Sequence, residues 1–223
     1  MSPITDWPIN ERPRERLLQQ GAESLSDAEL LAIFIRTGIK GKSAIDLARE
    51  ALNKAGSLYA LFHLNQKEFC QMAGFGSTKY AQLKAVLEIN HRYSFEKLKE
   101  KEILNNTRAT DEYLLSKLGH RKHEVCACLF LDTQYRVIQY LELFRGGIKE
   151  MVVYPGEIVK EALLHHATAV ILAHNHPSGN LCPSPADLAL TERVRQALLL
   201  VDIEFLDHLI VGRYSTVSCV NPA

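Results

Sequence analysis

The chain has 223 residues, of which 47% are hydrophobic and 23% charged, the balance of an ordinary soluble globular protein. That composition excludes disorder or a fibrous repeat over most of the length, and the size suits one large domain or two small ones. With 26 basic and 26 acidic residues the formal charge is zero, so any nucleic-acid contact must be local rather than a property of the whole surface.

Residues 1–8 lack the basic-then-apolar order of a signal peptide. Residues 11 to about 93 read as helices joined by short Gly-containing turns. Ser26-Asp27-Ala28-Glu29 is a capping box ahead of the apolar run 30–35. Residues 37–42 form a turn, and Ala44, Ile45, Leu47, Ala48, Ala51 and Leu52 recur at helical spacing. A charge run at 95–102 reads as a solvated helix end or linker and places a domain boundary near residue 100. Beyond it the pattern mixes strand and helix. Residues 125–131 and 137–144 are apolar and β-branched, and the turn-like 132–135 between them predicts a hairpin. Residues 151–153 read as a short strand, and Pro155 opens a helix through Leu164. A strand over 168–173 runs into His174, a helix covers 184–200, and a last strand covers 203–211. No apolar run reaches the roughly 20 residues needed to span a bilayer, so no membrane association is expected. The five cysteines form an odd set without a C-x-x-C pair, which fits a reducing, cytoplasmic location. Cys126 and Cys128 share one strand face and read as core.

The chemistry concentrates in His174-Asn175-His176, followed after seven residues by Ser184-Pro185-Ala186-Asp187. Residues i and i+2 of a strand point to one side, so both imidazoles aim at one place if the strand persists through His176. The turn at Pro177 and Gly179 can fold Asp187 back toward them. Two histidines and a carboxylate are three ligands that suit Zn2+, leaving a fourth position for water, which is the layout of a catalytic site. Ser184 and Asp187 also satisfy a helix capping box without any metal, and both roles can coexist. A metal-activated water needs a general base. Glu124, at the start of the 125–131 strand, and Glu157, in the first turn of a helix, are both open on local chemistry. Asp207-His208 reads either as a pair supporting the site or as a buried strand histidine with a partner of its own.

The H-x-H-x7-S-x-x-D string resembles the signature of the JAMM (JAB1/MPN/Mov34) metalloenzymes. The flanking words 173–179 and 205–212 resemble its bacterial RadC-type branch. The resemblance covers nearly the whole chain, with the JAMM-like part spanning residues 102–223. It implies His174, His176 and Asp187 as zinc ligands and Ser184 as a residue that holds the water or stabilises the oxyanion. It places the base on a glutamate at the start of a hydrophobic strand upstream, which here is Glu124, 50 residues (174 − 124) before His174. The segment Tyr154-Pro155-Gly156-Glu157 departs from the His-Pro-Arg-Glu-like segment expected there.

In the N-terminal part, Met72-Ala73-Gly74-Phe75-Gly76 with Lys79, Ala81 and Leu83 resembles a helix-hairpin-helix. Its glycines and the amides of the following helix would contact phosphates without reading sequence. From 66 to 95, four basic residues (Lys67, Lys79, Lys84, Arg92) face two acidic ones (Glu68, Glu88), a thin surplus for nucleic acid. The expectation is therefore a small all-α helix-hairpin-helix domain over 1–100 and an α/β MPN-like domain over 102–223, with a mixed sheet flanked by helices. The expected activity is zinc-dependent hydrolysis of an amide or isopeptide bond in a peptide or protein substrate, with Glu124 and Ser184 catalytic. The alternative is a DNA-associated, repair-related binding protein with a non-catalytic metal site and a non-specific DNA contact at Gly74 and Gly76.

Overall fold

A computed structural model describes residues 4–100, 103, 107–146 and 152–220. The chain divides into two compact units, residues 1–88 and 89–223, and the division falls inside one long helix. Among the described residues, no helix is long and apolar enough to cross a membrane.

The first unit is helical: α1 (Pro13–Gln20), α2 (Asp27–Ile35), α3 (Ala44–Ala55), α4 (Leu58–His63), α5 (Gln66–Cys70) and the start of α6 (Ser77–Glu100). The capping box read at Ser26 is present, and Ser43 with Asp46 and Asn65 with Glu68 repeat it for α3 and α5. Each such cap is worth about 1 kcal/mol. The helical spacing in α3 buries Ala44, Ile45, Leu47, Ala48 and Ala51 against Leu31, Ile35, Leu61 and Phe69. Residues 71–76 turn the chain between α5 and α6. Gly74 there has φ +80°, and a Cβ on it would lie 2.7 Å from Leu47 Cδ1, so its missing side chain serves packing.

The second unit holds a five-stranded mixed sheet, in the order β2-β1-β3-β4-β5. Its strands are β1 (Val125–Leu131), β2 (Val137–Arg145), β3 (Ala169–Asn175), β4 (Glu204–Val211) and β5 (Thr216–Ser218). β1 and β2 make the antiparallel hairpin read from the sequence. Its turn closes on Asp132, whose Oδ1 accepts the amides of Gln134 and Arg136. β1 pairs antiparallel with β3, and β3 pairs parallel with β4. The parallel pair requires a crossover, which α9 (Pro185–Leu199) supplies.

Alternation along the central strands sends side chains to two cores. Ala127, Leu129, Leu131, Ile171 and Ala173 pack with Tyr113, Leu114 and Leu118 of α7 (Thr107–Leu118) and with Leu98 of α6. Cys126, Cys128, Phe130, Val170 and Leu172 pack with Ile158 and Ala162 of α8 (Pro155–Leu164) and with Val194 and Leu198 of α9. Burial on both faces explains why 125–131 is an unbroken apolar run. Burial pushes the Cys126 thiol up to about 12, so it is inert core.

Three expectations need correction. Val152 and Val153 are not a strand, although Val153 is buried; Met151 lies outside the described residues. The sheet does not end at Val211, because a short β5 follows. The charge run is more than solvated: α6 continues to Glu100 and buries Leu98.

Candidate metal centre

The site lies at the carboxyl end of β3, the middle strand, where the chain leaves the sheet for α9. His174 is the penultimate residue of β3 and is buried. The extended course continues one step further, because the His176 amide donates to Val211 O at 3.0 Å. The two imidazoles therefore point the same way. Gly179, with φ +81°, then turns the chain, and its amide returns to His176 O at 2.9 Å.

Asp187 arrives as the third residue of α9. The capping box at its start is complete. The Asp187 amide donates to Ser184 Oγ (3.2 Å), while the Ser184 amide and hydroxyl both donate to Asp187 Oδ2 (2.8 and 2.6 Å). The cap leaves the carboxylate facing the histidines. Oδ1 is 3.1 Å from His174 Nε2, and Oδ2 is 3.5 Å from His176 Nε2. The two Nε2 atoms are 2.8 Å apart. The capping reading of Ser-x-x-Asp holds, and the capped Asp187 stands beside both histidines.

Bonds of about 2 Å to a tetrahedral ion put neighbouring donor atoms about 3.3 Å apart. The three observed separations bracket that spacing. The proton count points the same way. His176 Nδ1 lies 2.6 Å from Asn180 O, a carbonyl that can only accept, so Nδ1 carries the hydrogen and a neutral His176 has a bare Nε2. Burial alone would raise the Asp187 carboxyl. Hydrogen bonds with His174 and Ser184 outweigh it and hold the group far below the ordinary carboxylate range. Two imidazole nitrogens and an ionised carboxylate facing one point form a group that could hold a metal ion. The donor set of two nitrogens and an oxygen fits zinc.

Behind this cluster is a second layer. His208, on β4, is fully buried. Its Nε2 is 2.7 Å from His174 Nδ1, and its Nδ1 is 2.6 Å from Thr191 Oγ1. The Thr191 hydroxyl donates to Asp187 O at 2.8 Å. Burial, then the neighbouring His174, pushes His208 down to about 3, so it is neutral at ordinary pH. Asp207 does not hold the His208 ring; its Oδ1 takes the Ser218 hydroxyl instead. Asn175, between His174 and His176, faces the opposite side. Its Oδ1 accepts the Val125 amide (2.8 Å), and its Nδ2 donates to His123 O (3.1 Å) and Arg121 O (3.3 Å). These bonds bracket Glu124 and fix the chain around it.

A groove of about 760 Å3 opens over the cluster, and Glu124 lines it together with His174, His176, Ser184 and Asp187. Val153, Leu190 and Arg193 form further parts of its wall. Glu157 is exposed, lies outside that lining and pairs with Lys160 at 3.1 Å. Cys182 lines the groove but stands outside the His/His/Asp group. The sequence reading did not find Thr191 or the clamp made by Asn175. Thr191 had a signal, since it falls four residues after Asp187, one helical turn along the same face. Asn175 had none, because its partners are backbone atoms 50 or more residues away in the chain.

The five-stranded sheet, its flanking helices and the His/His/Asp group at the end of a central strand define an α/β domain of the JAB class. The RadC-like JAB domain family matches residues 104–222, and the UPF0758 N-terminal family matches residues 4–81. The chain belongs to the UPF0758 family, with a helical N-terminal region followed by a RadC-like JAB domain. It is 55% identical to a UPF0758 protein of Saccharophagus degradans and 54% identical to one of Nitrosococcus oceani, each over 96% of both chains. It is 55% identical to a UPF0758 protein of Pseudomonas fluorescens over 94% of this chain and 93% of the relative.

Proposed function

We propose that the protein is a zinc-dependent hydrolase of amide bonds, of the metallopeptidase or isopeptidase type. The observation that carries this reading is the convergence of His174, His176 and Asp187 at metal-ligand spacing in a groove that Glu124 also lines. Zinc held there supplies Lewis acidity toward a carbonyl and lowers the pKa of water. His174 and His176 would ligate through Nε2, and Asp187 through its carboxylate. Glu124 would take the proton of the attacking water and deliver it to the leaving amine. Asn175 would keep Glu124 in place by holding His123 and Val125 on either side of it. Ser184 holds Asp187 in its ligating pose; on releasing that bond, its hydroxyl could donate to the oxyanion of the tetrahedral intermediate. Val153 and Leu190 give the substrate an apolar wall.

Elemental analysis of the metal-replete full chain, beside His176→Ala, tests the metal. One zinc per chain in the wild type and loss in the variant are expected; a wild type without stoichiometric zinc rejects the reading. A peptide-library cleavage screen then supplies a substrate. Glu124→Gln should keep zinc and lose turnover, and undiminished turnover removes Glu124 as the base.

A second, weaker reading is contact with nucleic-acid phosphates at the hairpin. What favours it is Gly76, where a Cβ would meet nothing within 4 Å, leaving the backbone at the start of α6 approachable. Against it, Lys79 Nζ is bound to Gly74 O (2.6 Å) and Lys84 Nζ to Phe62 O (3.0 Å). Absence of binding between the full chain and duplex DNA at low salt rejects this contact.

A further inference from the structure

We infer that Arg193 is a specificity-determining residue, selecting substrates that carry a carboxylate about two to three residues from the scissile amide. The inference rests on the proposed hydrolase reading and names the substrate class for that site. It starts from the charges of the groove. Arg193 is the one lysine or arginine among the described residues that line it, and Glu124 and Asp187 are its acidic residues. A zinc ion held by Asp187, with Glu124 beside it, would have its two positive charges matched by those two carboxylates. Arg193 then stands in surplus, and an anionic group on the substrate is what balances it.

Nothing on its own helix uses that charge. Glu192, next to it, pairs with Arg195 at 3.7 Å, and no carboxylate among the described residues pairs with Arg193. Arg195 lies over the ring of Phe205, outside the groove lining. The course of α9 sets the distance from the metal position. Ala186, Leu190 and Arg193 recur at helical spacing on the side of α9 that lines the groove. Arg193 comes six residues after Asp187 (193 − 187), or about 9 Å along the helix axis. An extended peptide covers about 3.3 Å per residue, so a bond at the metal and a side chain at Arg193 are about two to three residues apart. Leu190 lies between them along α9, and the exposed apolar side chains of Val152 and Tyr154 line the same groove. They suit an apolar residue between the carboxylate and the bond. A guanidinium grips a carboxylate through two parallel N–H···O bonds, which is why arginine rather than lysine fits this role.

A positional-scanning hexapeptide library tests the inference on the zinc-loaded full chain, in one form with free C-termini and one with amidated C-termini. The cleaved members should show Asp or Glu enriched about 5-fold at one position near the cut, the scale of one partly exposed ion pair. Arg193→Ala should lose that enrichment, Arg193→Lys should keep part of it, and Arg193→Glu should replace it with enrichment in Lys or Arg. Enrichment in both forms assigns the carboxylate to a side chain; enrichment in the free form alone assigns it to a chain terminus. Arg193 is exposed on its helix, so none of these substitutions removes core packing. Retention of the same library on the immobilised full chain reads binding without turnover. Acidic members should be held by wild type and not by Arg193→Ala, and the difference should shrink as salt rises. An acidic preference that survives Arg193→Glu, or no acidic preference in either measurement, overturns the inference. Cleavage without that preference leaves the hydrolase reading standing by itself. Acidic retention that depends on Arg193, with no cleavage of any member, refutes the hydrolase reading and leaves Arg193 as a carboxylate-binding residue.

Discussion

Asn175 makes the most exposed prediction, because the sequence gives it no role and the structure gives it three bonds. Replacing it with alanine removes the acceptor for the buried Val125 amide and the donors to His123 O and Arg121 O. An unsatisfied buried N–H costs about 1–3 kcal/mol, and each further lost hydrogen bond costs about 0.5–1.5 kcal/mol. The sum is about 4 kcal/mol, or about 14 °C in the melting of a unit of this size. Calorimetry of the chelator-treated full chain reads that shift without a contribution from metal binding. Hydrogen exchange at the Val125 amide reads the same loss locally. Asn175→Asp should be at least as damaging at neutral pH, since it keeps the acceptor but sets a carboxylate oxygen against two carbonyls. A change of under about 2 °C in both variants, with Val125 still protected, would show the clamp to be energetically idle and refute the reasoning.

Two further predictions follow from other parts of the chain. Asp111 accepts the Thr216 hydroxyl at 2.7 Å, but burial, and less strongly the nearby Asp207 and Glu112, raise its carboxyl above the ordinary value. A folded-state value above the unfolded one means that the folded chain binds more proton, so stability falls as pH rises through that window. Asp111→Asn keeps the acceptor and removes the charge. Its urea midpoint should exceed that of wild type at pH 7, with the difference closing as the wild-type carboxyl protonates; a gap that widens on acidification reverses the sign of the argument. Gly74→Ala forces a side chain into a left-handed conformation and against Leu47, for about 2–4 kcal/mol together. Circular dichroism should show an early loss of helix, and an unshifted helical transition would leave the packing account without support.

The parts of this fold legible in the sequence are those whose signal is local. Capping boxes at Ser26 and Ser184, helical spacing in α3 and the β1–β2 hairpin each rest on residues a few positions apart. Helix α7 went unread because Tyr113, Leu114 and Leu118 give a narrow apolar stripe within a polar segment. Strand β5 is three residues long and is defined by its pairing with β4. Val152 and Val153 have strand composition, but the described sheet offers them no partner. At the site, the grouping of His174, His176 and Asp187 was legible because strand periodicity and a turn bring them together. The preference for Glu124 over Glu157 was not local. It rested on the resemblance; in the fold, β1 lies beside β3 in antiparallel register, with Cys126 opposite His174, which carries the start of β1 to the end of β3.

Asp187 divides its oxygens between a serine that any capped helix could own and a pair of histidines. A metal centre of the proposed kind needs a carboxylate held in one pose, and here the start of a helix would provide it as a by-product. An ordinary strand–turn–helix junction with a Ser-x-x-Asp start is therefore two side chains away from a three-ligand site. Protein engineers could use that short distance directly, by placing histidines at alternate positions on a strand that leads into such a helix. The same economy offers a simple route by which a structural joint of this kind could have acquired chemistry.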